Sequence, residues 1–191
     1  MKIAVLALQG AFIEHINVLN TLGIETVEIR KKSDFQTNFD GLILPGGEST
    51  VMGKLLHDLD LFDDIKIAIE NGLPVFGVCA GLILLAKNIE NQNTNHLGTL
   101  DITIKRNAFG RQCDSFSTNH YFDEKSIEMI FIRAPYIVDT KNTVTILSEY
   151  KNKIVAVRQG NQLGTAFHPE LADDYTVHKY FLNMIKEKNS K

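Results

Sequence analysis

Residues 74 to 81 read Pro74-Val75-Phe76-Gly77-Val78-Cys79-Ala80-Gly81, and Leu82-Ile83-Leu84-Leu85-Ala86-Lys87 follows. A short apolar run, a Gly-x-Cys-x-Gly turn and a stretch of good helix formers constrain this part of the chain to strand, sharp turn and helix. Glycines on both sides of the turn let a side chain be raised on a strained backbone without crowding. The familiar form of such an elbow carries Ser as its nucleophile, and Cys can take the same place. At the N-terminus of a helix, the dipole and free N–H groups favour thiolate over thiol. The pentapeptide alone fits a small buried cysteine at a strand–helix junction equally well.

The preceding text supplies the sheet to which such a strand would belong. Residues 3 to 8 form a continuous apolar run, as expected of a strand buried on both faces of a parallel sheet. Gln9-Gly10 turns the chain, and Phe12, Ile16, Leu19 and Leu22 recur at helical spacing before Gly23 stops the helix. Residues 24 to 29 are a second strand, 31 to 34 a polar loop, and 41 to 45 a third buried strand. Helical stretches follow near 51 to 57 and 61 to 71. Beyond the elbow, 88 to 96 reads as a polar loop and 99 to 105 as a half-exposed strand. Four further strands, 127 to 132, 143 to 150, 153 to 159 and 162 to 167, are separated by short turns. They imply hairpins and a mixed sheet. Asp173-Asp174 can cap a last helix whose apolar stripe is Val177, Tyr180, Phe181, Met184 and Ile185. The expected architecture is α/β: one domain over residues 1 to 191, in three layers, with a central mixed, mostly parallel sheet flanked by helices.

Bulk properties narrow the function classes. A chain of 191 residues can bury a substantial core, and a net charge of −3 gives no reason to expect nucleic acid or an acidic membrane surface. Two cysteines, Cys79 and Cys113, without a CxxC pattern argue against a disulfide framework or structural zinc. The first eight residues are too short and too soon interrupted for a signal peptide, and no apolar run approaches membrane-spanning length. The reading is a cytoplasmic protein with free thiols.

Ligands of α/β sheets bind beyond the carboxyl ends of the strands. At such a place, after the third strand, stands Pro45-Gly46-Gly47-Glu48-Ser49-Thr50. Two glycines allow close backbone approach and can aim N–H groups into a cleft. The Gly-x-x-x-x-Gly-Lys spacing is absent and Glu48 is acidic, which disfavours phosphate; a plain turn with Ser49 capping the next helix is the alternative. A cysteine nucleophile also needs a base and an orienting group. Of six histidines, His15, His57 and His178 lie in helical stretches, His96 in the polar loop, and His120 has no acidic residue at a pairing distance in sequence. These read as solvated or packing residues. His168 ends a strand, is followed by Pro169, and has Glu170 two positions on. In extended backbone, residues i and i+2 share a face. Glu170 can then hold one ring nitrogen while the other faces a thiol, in the order nucleophile, base, acid. Arg106 can grip a carboxylate, although a lone Arg at a strand end is commonly solvated.

Taken together, Pro45-Gly46-Gly47-Glu48-Ser49-Thr50, Gly77-Val78-Cys79-Ala80-Gly81 and Phe167-His168-Pro169-Glu170 resemble the class I (triad) glutamine amidotransferases. Leu6-Ala7-Leu8-Gln9-Gly10-Ala11-Phe12, the run from Arg106-Asn107 to Phe116, and Phe131-Ile132-Arg133-Ala134-Pro135 are similar to the glutaminase subunits of pyridoxal 5′-phosphate synthase. Val78 replaces the Thr usual there, and Cys113 stands where an apolar residue is commoner. The resemblance implies a flavodoxin-like amidotransferase fold. It implies that Cys79 attacks the side-chain amide of L-glutamine, with His168 as base and Glu170 as its orienter. Gly47 and Ala80 would donate N–H groups to the oxyanion, and Gly47, Glu48, Ser49, Arg106, Ile132 and Arg133 would hold the substrate. It further implies ammonia delivery to a separate (β/α)8-barrel synthase subunit, docking near Gln9-Gly10, and neither a cofactor nor a metal on this chain.

Three other readings compete. An intracellular cysteine peptidase could share the elbow, but the adjacent His168-x-Glu170 pair and the Gly-Gly loop fit an amidotransferase better. An amidotransferase serving purine, histidine or tryptophan synthesis would share the triad but not the Asn107-Ala108-Phe109-Gly110-Arg111 stretch. A non-catalytic module would be expected to lack a triad member, and none is missing.

Overall fold

The computed structural model describes residues 1–92, 96–106 and 115–189. In chain order the elements are β1 (Lys2–Leu6), α1 (Phe12–Thr21), β2 (Glu25–Ile29), α2 (Lys32–Phe35), β3 (Gly41–Leu44), α3 (Ser49–Asp58), α4 (Phe62–Glu70), β4 (Val75–Val78) and α5 (Ala80–Leu85). There follow β5 (Ala86–Ile89), β6 (Leu100–Lys105), β7 (Ser115–Phe122), β8 (Lys125–Ile132), β9 (Tyr136–Thr140), β10 (Thr145–Tyr150), β11 (Lys153–Gln159), β12 (Gln162–Thr165), a 3-10 turn (Pro169–Leu171) and α6 (Thr176–Asn189).

The main sheet has the order β2-β1-β3-β4-β12-β11-β9-β6-β5, with β10 paired to β11; β7 and β8 form a separate two-stranded sheet. From β2 to β12 every pairing is parallel, whereas β12–β11, β11–β9 and β9–β6 are antiparallel. The mixed α/β sheet flanked by helices is therefore as expected from the sequence. Strands β3 and β4 are buried at every residue, which is why their sequences are unbroken apolar runs. The largest fully buried side chains include Phe76 of β4, Phe167 after β12 and Phe181 of α6. Among the described residues, no helix is long and apolar enough to cross a membrane.

Four local expectations change. The polar loop expected at 31 to 34 is largely taken up by the short helix α2, which runs on to Phe35 and whose Asp34 carboxylate accepts from the backbone N–H of Arg30 and Lys31. The elbow helix ends at Leu85, and Ala86–Ile89 turns into β5 by pairing with β6; tertiary pairing overrides helix propensity there. Strands β7 and β9 were not legible as strands. Asp174, as expected, accepts from the Thr176 N–H at 2.6 Å at the start of α6.

Candidate active site

Cys79 is the residue between β4 and α5, with φ 49° and ψ −95°. This left-handed backbone is costly for a residue bearing a Cβ and persists only where the surroundings enforce it. Here the Cys79 N–H donates to the Thr165 carbonyl at 2.8 Å, which continues the parallel β4–β12 ladder to the turn itself. The flanking glycines are required by close backbone approach. A Cβ on Gly77 would stand 2.7 Å from the Gly81 carbonyl oxygen, and one on Gly81 would stand 2.0 Å from that of Leu44. Helix α5 can therefore lie against β4 at Gly77 and against β3 at Gly81 only without side chains at those positions. Cys79 itself is buried and lines the same cleft as His168.

His168 arrives from the neighbouring strand. Its backbone N–H donates to the Ile130 carbonyl of β8 at 2.8 Å, and its ring packs against Gly46, where a Cβ would come within 2.3 Å of the ring. Nδ1 lies 2.7 Å from Glu170 Oε1. The backbone between them is a 3-10 turn with Pro169 at its start, so the pair meets through a turn and not through the extended strand that its spacing suggests. Burial opposes a charge on His168. Hydrogen bonds to Cys79 and Glu170, and the negative charges of both, outweigh it and push the imidazole pKa up to about 10. Burial likewise opposes ionisation of Glu170, but His15, and the hydrogen bond and charge of His168, hold its pKa below the usual carboxylate value.

Cys79 and His168 open onto a cleft of about 480 Å³ lined by Gln9, Gly47, Glu48, Arg106, Arg133 and Leu171 among others. Its floor is fixed by backbone contacts. The Gly46 carbonyl accepts from the Ala11 N–H at 3.0 Å, and Gly10 sits so close, at φ 92°, that a Cβ there would overlap the Gly46 oxygen. Gln9 Oε1 accepts from the Glu48 N–H at 2.8 Å. Glu48 is the N-cap of α3 and accepts from the N–H groups of Thr50 and Val51. Desolvation opposes its charge, but those bonds and Arg106 outweigh it and lower its pKa. Arg106 reaches Glu48 Oε1 at 3.5 Å and donates to Thr50 Oγ1 at 3.3 Å. The Ser49 hydroxyl is buried and has no hydrogen-bond partner among the described residues. Arg133, at φ 42°, follows the end of β8. Among the described residues, no cluster of His, Cys, Asp and Glu is arranged to hold a metal ion.

A family model described as the SNO glutamine amidotransferase family matches residues 5–187. The chain belongs to that family. It is 54% identical to pyridoxal 5′-phosphate synthase subunit PdxT of Streptococcus pneumoniae (strain ATCC 700669 / Spain 23F-1), an alignment spanning 99% of this chain and 100% of that protein. Among solved structures, one of a glutamine amidotransferase superposes with a TM-score of 0.91 at 42% identity, over 96% of this chain and 98% of the other. A glutamine amidotransferase of Thermotoga maritima has the same fold, with a TM-score of 0.63 at 15% identity over 98% of this chain and 83% of the other.

On this SNO-family chain, the sequence-selected residues Cys79, His168, Gly47, Glu48, Ser49, Arg106, Ile132 and Arg133 all line the one cleft. Glu170 and Ala80 stand behind its wall, both buried. Ser49 does not cap α3, since Glu48 does. The stretch 107–114, including Cys113, lies outside the described residues. Sequence reasoning missed two groups. His15 and His178 are fully buried, their Nδ1 and Nε2 atoms 2.9 Å apart, and His15 Nε2 lies 3.6 Å from Glu170 Oε2. The available signal was position: His15 falls on the inward face of α1 with Val18 and Leu19, and His178 lies beside Val177 on the apolar face of α6.

Proposed function

We propose that this chain hydrolyses L-glutamine to L-glutamate and ammonia, as the glutaminase subunit of a pyridoxal 5′-phosphate synthase. The observation that carries the reading is that Cys79 and the hydrogen-bonded pair His168–Glu170 come together at one cleft of amino-acid size. The Cys79 sulfur attacks the side-chain amide carbon of glutamine, and the carbonyl electrons move onto oxygen. The N–H groups of Gly47 and Ala80 receive that oxyanion, and such stabilisation is usually a large part of catalysis. His168 passes its proton to the amide nitrogen, the C–N bond breaks, and ammonia leaves a γ-glutamyl thioester. Water, deprotonated by His168, then attacks the thioester; glutamate departs and the Cys79–His168 pair is restored. Glu170 holds the imidazole by Nδ1 and compensates its charge without taking the proton. Glu48, Ser49, Arg106, Ile132 and Arg133 grip the amino-acid end of the substrate, with the Ser49 hydroxyl free to bond it.

The ammonia passes to a separate (β/α)8-barrel synthase subunit that builds pyridoxal 5′-phosphate, and docking involves the Gln9-Gly10 turn. Residues 1 to 191 act as one amidotransferase domain, working in the cytoplasm. The partnership is supported by the likeness to a subunit of that synthase. Its test is a glutamate-release assay with and without the cognate barrel subunit. Stimulation by that barrel and not by an unrelated one is expected. Equal rates in both mixtures would contradict the partnership.

A further inference from the structure

The carboxylate of Glu170 has two oxygens, and the reaction described above uses one. Oε1 takes the His168 ring, while Oε2 is buried with no hydrogen-bond partner among the described residues. Opposite it, at 3.6 Å, stands His15 Nε2, equally buried and, among the described residues, equally without a hydrogen-bond partner. His15 Nδ1 in turn lies 2.9 Å from His178 Nε2. Helix α1, the elbow at Cys79, and the 3-10 turn with the start of α6 thus bring together a polar file, His178–His15–Glu170–His168–Cys79, in an otherwise apolar interior. The rings of both rear histidines meet Phe76 edge-on.

We propose that His15 is a positioning residue for glutamine hydrolysis, presenting an Nε2–H to the outer oxygen of Glu170, with His178 behind it fixing that tautomer. The role rests on the Cys79–His168–Glu170 reading given above. The chemistry of the donors selects one arrangement. If His15 carries its proton on Nε2, a donor faces the carboxylate, Nδ1 is bare, and the His178 Nε2–H donates to it. His178 Nδ1 is then a bare nitrogen, which fits its burial without a partner. The reverse arrangement would set the His15 lone pair against a carboxylate and bury a His178 N–H with no acceptor. Burying polar groups without partners is unfavourable, so this arrangement is disfavoured. The groups facing His15 are Glu170, His168, His178 and Glu14; burial outweighs the attraction of the two carboxylates and lowers its pKa. Both rear histidines are therefore neutral dipoles and not counter-ions. They support the ionised Glu170 without competing for the proton on His168.

The test combines the unaltered protein with two variants. Imidazole 15N spectra of the wild type should show His15 and His178 each neutral and protonated on Nε2 across the neutral range. His15→Phe keeps a ring but loses the N–H, and His15→Gln loses the ring but keeps an N–H near the position of Nε2. With the synthase subunit present, His15→Phe should lower kcat about tenfold to a hundredfold, with little change in KM for glutamine. His15→Gln should recover most of the loss. A His15 protonated on Nδ1, or a folded His15→Phe with wild-type kcat, would overturn the role. Should His15→Phe not fold, the tautomer spectra still decide. Hydrolysis surviving in Cys79→Ala would overturn the triad reading beneath it, whereas the Nδ1–H tautomer would overturn only the part assigned to His15.

Discussion

The regions in front of Glu170 and behind it are both buried and both contain histidine, yet the rings are driven in opposite directions. His168, in front, has its pKa pushed up to about 10 because hydrogen bonds and negative charge on two sides outweigh its burial. His178, behind, has its pKa lowered to about 3, because burial dominates and its nearest titratable neighbour is another imidazole. Depth is similar, so the partners decide. A buried imidazole next to a sulfur and a carboxylate stores a proton, and one next to an imidazole and phenylalanines refuses it. In this chain that separation divides the histidine proposed to react from those proposed to brace its carboxylate.

The comparison breaks most completely when the front is dismantled. Cys79→Ala should abolish glutamate release while leaving the fold and partner binding intact. His168→Asn should lower kcat by roughly 10²- to 10⁴-fold or more, the usual worth of a positioned acid–base group. Single-turnover glutamate release measures both; activity retained by Cys79→Ala would move the nucleophile elsewhere. Glu170→Ala should impair kcat less than His168→Asn, since the carboxylate orients and does not transfer the proton. In the same variant the His168 pKa, followed by NMR, should fall from its raised value. A Glu170→Ala variant with His168 still titrating near the wild-type value would mean that the carboxylate is not what charges the ring.

The smallest effect concerns stability against pH, and it sharpens the contrast. The folded pKa of His168 lies above its ordinary value of 6.5, so its contribution is fully present below 6.5 and is lost as pH rises through about 10. The pKa of His178 is depressed from 6.5 to about 3, so the unfolded chain binds that proton first and stability falls as pH drops below 6.5. Glu170, with its lowered pKa, adds to the loss below 4.5. Thermal unfolding should therefore show greatest stability near neutral pH. His168→Asn should flatten the alkaline side and His178→Leu the acid side. Profiles unchanged in both variants would show that these rings do not govern the pH response.

Much of this was legible in the sequence where local chemistry and tertiary environment agree. The runs at β1, β3 and β4 are apolar because both faces are covered, and Gly77 and Gly81 are there because backbone passes within a few ångströms. His168 and Glu170 could be paired from their spacing, although the physical link is a 3-10 turn. Other features were set by partners distant in the chain. Ala86 and Lys87 read as helix and Asn88 and Ile89 as loop, and the four become strand only because β6 lies alongside. Strand β7 is largely polar, so its pairing with β8 and the stacking of Phe116 on Phe131 leave little periodic signal. His15 and His178 are 163 residues apart, and nothing in either helix announces that the other ring, or Glu170, will be its neighbour.

The central claim is that glutamine is opened by the sulfur of Cys79, with its γ-carboxyl held there as a thioester. Acid-quenching the protein during turnover with glutamine and mapping the adduct by mass spectrometry tests this directly. The account predicts a mass gain equal to glutamine minus ammonia on the peptide containing Cys79, absent from Cys79→Ala. Glutamate release with no adduct at Cys79, or with the adduct on another residue, would contradict it.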